Sequence, residues 1–445
     1  MNLHALLRKR AEEKRPVRVV LIGAGKFGSM YLSQARRTPG IHVLAIADLA
    51  PERAKASLRR TGWTDAQFSA VSFDQALKSG ATFITDDTAA AIAHPATEVV
   101  IDATGNPAAG VRNVLACCEH HKHIVMVNVE ADALAGPLLA RKAAAAGIVY
   151  SLAYGDQPAL ICEQVDWARA AGFTVVAAGK GTKFLPAYHA STPETVWGHY
   201  GFAPETVAKG DFNAQMFNSF LDGTKSGLEM AAVANATGLT PAPGGLEFPP
   251  CGVDDLPRVL RPQSVGGHLH HAGQVEVISS IERDGRPVFR DLRWGVYVTF
   301  AAEHEYVRRC FSEYGIITDP TGEYASMYKP SHLIGLELGI SVASVALRGE
   351  ATGCATGFRG DAVATAKRAL KAGEMLDGEG GSTVWGKLMP AADSLKAKGL
   401  PIGLAHKVKL LRDVAAGAPV TWNDIAADEN AEAVRIRREM EREFA

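Results

Sequence analysis

Between residues 17 and about 150, short apolar, β-rich runs alternate with segments of helical periodicity. The runs are VRVVLI, HVLAIAD, ATFIT, EVVIDATG, HIVMVNV and GIVYSLAY; SMYLSQARR and AAGVRNVLACCEHH lie between them. Strand–helix alternation of this kind predicts βαβ units around a parallel sheet. Beyond Gly155 the rhythm changes. A helix over 160–171 and the strand FTVVAAGKG lead into a long polar, aromatic loop, PAYHASTPETVWGHYG. A helix over 220–239 follows, then the Pro/Gly-rich connection PAPGGLEFPPCG. GQVEVISSIE, RWGVYVTFAA and EYGIITD read as strands and SHLIGLELGISVASVAL as a helix, which is an α+β pattern. From about Thr352 the elements shorten into a β-rich tail. The chain therefore divides into 1–153, 154–350 and 351–445, an α/β part, a central α+β part and a small β-rich part.

The helix over 220–239 has an unusual distribution of charge. At 100° per residue, Asp222, Lys225, Ser226 and Glu229 share one stripe, which continues as Ala232, Val233 and Ala236. The opposite side carries Gly223, Gly227, Ala231 and Ala234, small residues suited to close backbone packing. A stripe of acids and a lysine that turns apolar within one further turn reads as a wall facing a ligand. Its plainer reading is an i, i+3, i+4 ladder of charges on an exposed first turn.

Composition narrows the classes of function. The chain has 445 residues, 47% hydrophobic and 21% charged, with a formal net charge of −1. That balance argues against neutralising many phosphates on nucleic acid. The N-terminal segment lacks the apolar run of about 7–15 residues that marks a signal peptide, and no segment approaches a membrane span. Six cysteines show no CxxC spacing, which is the pattern of reduced thiols in a cytoplasmic protein.

The first strand runs directly into GAGKFG, which places Gly23, Gly25 and Gly28 at G-x-G-x-x-G spacing around Lys26 and Phe27. The first glycine permits a tight turn, the second lets backbone approach a pyrophosphate, and the third lets helix pack on strand. The following helix start supplies N–H donors and the positive end of a dipole. Asp48 ends the next strand 20 residues after Gly28, the position of an acid that binds an adenosine ribose. An acid there favours NAD over NADP, while Arg53 either offsets that repulsion or is a solvated helix-start arginine. Thr104, Gly105 and Asn106 follow a later strand, where loops of such folds approach the nicotinamide.

Further ionisable residues cluster at predicted strand ends. Glu130 and Asp132 follow HIVMV, Asp156 follows SLAYG, and Lys180 and Lys183 lie in AAGKGTKFLP. Buried charge is costly unless paired or metal-bound, and carboxylates in oxygen-only company suit magnesium or manganese. In SMYKPSHLIG, Pro330 fits the first position of a helix, leaving Lys329, Ser331 and His332 around its N-terminus as a phosphate site. The GGHLHH run reads as a loop.

On the segments GAGKFGSMY, IDATGNP, VNVEAD, YGDQPAL, AAGKGTKFLPAYH, FLDGTKSGLEMA, YKPSHLIGLE, GEMLDGEGGSTVWGK and LPIGLAHKVKLLRD, the chain resembles the 1-deoxy-D-xylulose 5-phosphate reductoisomerase-like enzymes of isoprenoid precursor synthesis. These belong to the homoserine-dehydrogenase-like oxidoreductases that carry a C-terminal SAF domain. The resemblance implies a Rossmann domain, a catalytic and dimerising α+β domain and a SAF-like tail. It implies NADPH, a divalent cation (Mg or Mn), a homodimer, a sugar-phosphate substrate and 2-C-methyl-D-erythritol 4-phosphate as product. NADPH stands in mild tension with Asp48. Against that chemistry, Glu130, Asp156 and Glu229 are the expected metal ligands, and Lys183, Asp222 and Lys225 the catalytic groups with Lys180 in reserve. Lys329, Ser331 and His332 are the expected phosphate contacts. A simpler NAD(P) dehydrogenase of small hydroxy or semialdehyde acids is the alternative.

Overall fold

The computed structural model describes residues 2–209 and 212–445. The chain forms two compact units rather than three consecutive parts. One comprises Met1–Leu160 with His332–Cys354, the other Ile161–Ser331 with Ala355–Ala445. The C-terminal segment thus groups with the central one.

In the first unit, β1 (Val17–Ile22), β2 (Ile41–Ala47), β3 (Phe83–Thr85), β4 (Val99–Asp102), β5 (His123–Met126) and β6 (Tyr150–Leu152) form one sheet. Its order is β3-β2-β1-β4-β5-β6 and every pairing is parallel. The strands are near-continuous apolar runs because helices cover both faces. The order reverses between β1 and β4, so the strand ends there flank the crevice in which doubly wound sheets bind ligands. Val19, Leu21, Ile46, Ile101 and Val125 pack with Leu338, Val342 and Val345 of the returning segment.

Hydroxyls fasten that return. Ser341 Oγ accepts the Tyr154 N–H at 2.7 Å and lies 2.6 Å from Thr352 Oγ1, while Thr352 N donates to Ser151 Oγ at 2.9 Å. Ser341 is fully buried. Ser341→Ala is expected to strand the Tyr154 N–H and to cost about 1–3 kcal/mol in urea unfolding, the usual penalty for an unsatisfied buried donor.

The expected helix over 331–347 is shorter, running only from Gly339 to Arg348. Gly335 has φ +76°, and a Cβ there would stand 2.6 Å from Met30 Cβ. The chain at 333–338 therefore turns tightly against the neighbouring helix instead of continuing one of its own.

The second unit is built on β7 (Thr174–Thr182), β8 (Gln274–Ser279), β9 (Val296–Ala301) and β10 (Tyr324–Lys329), in the order β10-β9-β7-β8. β7 runs parallel to β8 and antiparallel to β9. EYGIITD is not a strand; it follows the helix Glu305–Glu313 as turn and coil, with one antiparallel bridge from Thr318 to Ala325, and β10 takes the edge place. The tail contributes β11 (Gly360–Ala366), β12 (Met375–Asp377), β13 (Val384–Pro390) and β14 (His406–Lys409), paired antiparallel as β11–β13 and β12–β14.

The helix expected over 220–239 is two helices, Ala214–Leu221 and Thr224–Thr237, joined through Gly223 at φ +92°. The second lies directly on β13. A Cβ at Gly227 would meet Gly386 O at 2.4 Å, and Gly386 N donates to Thr224 Oγ1 at 2.8 Å. The small-residue side does pack backbone against backbone.

β8 buries one carboxyl completely. Glu276 accepts from Val277 N at 2.8 Å and from Glu247 N at 3.1 Å. Burial outweighs those hydrogen bonds and pushes its pKa from 4.5 to about 8. Between these values the folded chain holds a proton that the unfolded chain has released. Stability from this group is therefore full below about pH 4.5 and declines as pH rises toward 8. Glu276→Gln is expected to flatten that slope in denaturation midpoints measured from pH 4.5 to 8.

Candidate functional site

The glycine loop in the first unit has the properties that a dinucleotide requires. Gly23 has φ +91°, and a Cβ at Gly28 would strike Gly23 O at 2.4 Å. A Cβ at Gly25 would meet nothing within 4 Å, so the loop is open at the one glycine whose role is ligand approach. The helix Lys26–Ala35 begins there with no side-chain cap. Its first N–H groups are free of such a competitor for an anion. Lys26 is exposed, and Phe27 packs against the core.

Asp48 is nearly buried beside this loop. Its Oδ2 accepts the Ala24 N–H and its Oδ1 the Ala50 N–H, each at 2.8 Å. The acid thus fixes the loop as well as standing at the ribose position. Arg53 is exposed on the following helix.

At the ends of β4 and β5 a buried polar network sits behind Thr104–Asn106. Asp102 Oδ1 accepts from Thr104 Oγ1 at 2.7 Å, and its Oδ2 accepts from Asn113 Nδ2 at 2.9 Å. Asn128 Nδ2 donates to Thr104 Oγ1 at 3.0 Å and to Asn106 O at 2.8 Å. Burial pushes the Asp102 carboxyl up, against the pull of those donors. Asn106 Oδ1 caps the next helix through Ala109 N at 2.9 Å. Gly105 and Asn106 are exposed; Thr104 is half-buried and braced by Asp102 and Asn128. Sequence reading missed Asp102, Asn113 and Asn128, although an Asn immediately before a helix is a cap signal.

The carboxylates expected to hold a metal are differently placed. Glu130 lies in the first turn of the helix Val129–Ala145, and Asp156 accepts from Gln157 N at 2.9 Å. Asp132 is buried; Tyr150 Oη donates to its Oδ1 at 2.7 Å, its Oδ2 has no hydrogen-bond partner among the described residues, and burial pushes it up to about 6. Glu229 belongs to the second unit, where Lys180 Nζ donates to its Oε2. No three His, Cys, Asp or Glu side chains converge as a metal-binding group among the described residues. Glu229 compensates a buried ammonium instead of presenting a free carboxylate, so the expected trio does not fit a divalent cation.

Asp222 also differs from expectation. It lies between the two helices, not on the stripe of the second, and is fully buried. Lys367 Nζ reaches its Oδ2 at 2.8 Å and also donates to Ser191 O and Gly381 O at 2.7 and 2.6 Å. Thr224 N donates to its Oδ1 at 2.8 Å, and His189 Nδ1 donates to its carbonyl at 2.7 Å while stacking on Trp385. Burial pushes the carboxyl up, opposed first by Lys367. These contacts make Asp222 an internal strut that joins the helix pair to the tail.

The remaining lysines lie along the four-stranded sheet. Lys180, Val296 and Lys329 occupy one row across β7, β9 and β10. Residues in register share a face, which puts the two lysines about 10 Å apart at two strand spacings. Lys183 follows β7, with Nζ donating to His199 O at 2.7 Å and lying 5.8 Å from the Tyr200 ring centre. Burial first, then the neighbouring Arg293, holds the Lys183 ammonium below the ordinary lysine range. Lys225 is half-buried one turn before Glu229 on the Thr224–Thr237 helix. Ser331 is exposed, and His332 begins the segment that returns to the first unit. With no helix starting at Pro330, no helix N-terminus supports a phosphate at Ser331 and His332.

Residues 155–338 match the family model of the oxidoreductase DRL catalytic domain. The chain therefore pairs a dinucleotide-binding fold with a segment of oxidoreductase catalytic type. Among curated proteins, none matches it. Solved structures with similarity include an oxidoreductase from Agrobacterium radiobacter in complex with NAD+, L-tartaric acid and magnesium. It is 17% identical over 38% of this chain and 44% of that one, with a TM-score of 0.27. The 1-deoxy-D-xylulose 5-phosphate reductoisomerase of Zymomonas mobilis in complex with NADPH is 18% identical over 49% and 57%, with a TM-score of 0.34. A homoserine dehydrogenase from Thiobacillus denitrificans is 16% identical over 50% and 49%, with a TM-score of 0.35. The chain spans about half the length of each. Among the described residues no helix is long and apolar enough to cross a membrane.

Proposed function

We propose that the chain is a nicotinamide-dependent oxidoreductase that reduces the carbonyl group of an anionic substrate. NADPH is the proposed donor and 1-deoxy-D-xylulose 5-phosphate the substrate to which the sequence resemblance points. The observation that carries this reading is the match of residues 155–338 to an oxidoreductase catalytic domain. Gly23, Gly25, Gly28 and Asp48 would hold the dinucleotide, which supplies hydride when bound. Lys183 and Lys225 would face the substrate oxygen. An ammonium held below its ordinary range gives up a proton more readily to a developing alkoxide. Glu229 keeps Lys180 compensated, and Asp222 holds the helix pair in place.

Reductoisomerisation in this family also implies a divalent cation. Since Lys180 and Lys367 occupy the Glu229 and Asp222 carboxylates, no step is assigned to one. That pairing favours, as the second reading, hydride transfer to a small semialdehyde acid. The full chain incubated with NADPH or NADH and deoxyxylulose phosphate, with manganese or with EDTA, separates the two. Formation of 2-C-methyl-D-erythritol 4-phosphate supports the first, and cofactor oxidation only with aspartate semialdehyde supports the second. Absence of oxidation with either substrate overturns the proposal. The proposed homodimer is checked by sedimentation of the same preparation.

A further inference from the structure

Among the described residues, two cations at the sheet edge have no acid to balance them. Lys183 and Arg293 emerge from backbone segments that touch: Gly181 N donates to Gly295 O at 3.1 Å, and a Cβ at Gly181 would stand 2.0 Å from Leu292 O and 3.0 Å from Arg293 N. Only glycine permits that approach, and it brings the residue two before Lys183 against the one bearing the guanidinium. Arg293 lies over the exposed Trp294 ring, 4.7 Å from its centre. Its backbone N–H is held by Asp291 Oδ1 at 2.8 Å. Among the described residues neither Lys183 nor the Arg293 guanidinium is paired with a carboxylate. The Asp222 carboxylate of the same unit is already taken by Lys367, and Glu229 by Lys180.

Like charges brought together by a rigid backbone contact repel unless an anion lies between them. A guanidinium presents a planar fork of donors that matches an oxyanion in bidentate fashion, and an ammonium adds a point charge. We infer that Arg293 and Lys183 form an oxyanion-binding subsite in which the Arg293 fork receives the phosphate or carboxylate group of the substrate and Lys183 stands beside that group, left to reach the carbonyl oxygen. Tyr200, against the Lys183 ammonium, forms one wall of it, and Trp294, under the guanidinium, forms another. This assignment rests on the reading of the chain as an enzyme of anionic substrates, and it moves the anion from the Ser331–His332 turn to the end of β7.

The test needs no turnover, so its failure is distinct from failure of the proposed reaction. Full-length protein is titrated with inorganic phosphate, and separately with sodium acetate, at constant ionic strength. Acylation of Lys183 by an amine-reactive reagent is followed by mass spectrometry. Phosphate is expected to protect Lys183 saturably, and Arg293→Gln to raise the half-protecting concentration roughly tenfold or more, the scale of one charge-assisted contact. Arg293→Lys keeps the charge but not the fork and is expected to recover only part of the protection. Arg309→Gln, an exposed control, is expected to leave it unchanged. Protection by phosphate well above acetate identifies a phosphate monoester as the natural group, and equal protection identifies a carboxylate. If neither anion protects Lys183, or if Arg293→Gln leaves the curve in place while its circular dichroism matches the parent, the subsite is overturned.

Discussion

Lys367→Met is expected to destabilise the second unit by about 3–5 kcal/mol, the usual consequence of leaving a buried charge without its partner. All three ammonium hydrogens of Lys367 are engaged, by Asp222, Ser191 and Gly381, and both side chains are essentially inaccessible. Removing the cation leaves an ionised Asp222 carboxylate only its contacts with Thr224, the backbone N–H at 2.8 Å and the side chain. The chain then has to protonate the acid or open the turn at Gly223. Asp222→Asn in the same background removes the orphaned charge, so the double variant is expected to regain much of the loss. Urea unfolding of the parent, both single variants and the double variant gives the coupling directly. If Lys367→Met unfolds at the parental urea concentration, the strut assignment is wrong.

Lys183→Met is expected to lower kcat by about 10²–10⁴-fold, the range for removal of a positioned proton donor. Nicotinamide cofactor affinity, measured by quenching of NADPH fluorescence, is expected to stay at the parental value because Gly23, Gly25, Gly28 and Asp48, not Lys183, are the residues proposed to hold the dinucleotide. The sign of the pH dependence follows from the environment of the ammonium. Burial and Arg293 hold it below the ordinary lysine range, and only the protonated form donates. The alkaline limb of the parental profile should therefore lie at lower pH than an exposed lysine would give. Arg293→Gln removes one of the two causes and should move that limb back toward higher pH.

The dinucleotide-binding sheet was legible in the sequence because its signals are local. Apolar runs bounded by turns, a glycine loop after the first and an acid after the second each report on a few adjacent residues. The helix over 220–239 shows where local reading fails. Leu-Asp-Gly-Thr is a turn signal, yet the surrounding Ala, Leu and Met outvoted it, and Asp222 was placed one element too late. Its true partner, Lys367, lies 145 positions away. No periodicity reaches that far, and the same holds for Lys180 with Glu229, 49 apart. A single sequence shows acids and lysines in number but not which have already neutralised one another. The sequence could therefore not show that Glu229, expected as a metal ligand, lies against Lys180. Arg293 was missed for the complementary reason: RWG carries no motif, and its significance depends on the backbone of Gly181 lying against it.

The returning segment has a consequence for the order in which the molecule is made. Val342 and Val345, which complete the core of the first unit, leave the ribosome about 180 residues after Leu160. At translation rates of roughly 5–20 residues per second, the dinucleotide-binding sheet waits on the order of 10–40 s for the helix that covers it. The second unit is started and interrupted during that interval, and it closes only when the tail emerges. Neither half is a contiguous stretch of chain, so during synthesis both expose apolar surface at once. A cell making this protein has to shield two unfinished cores together, and a nascent chain released early has neither.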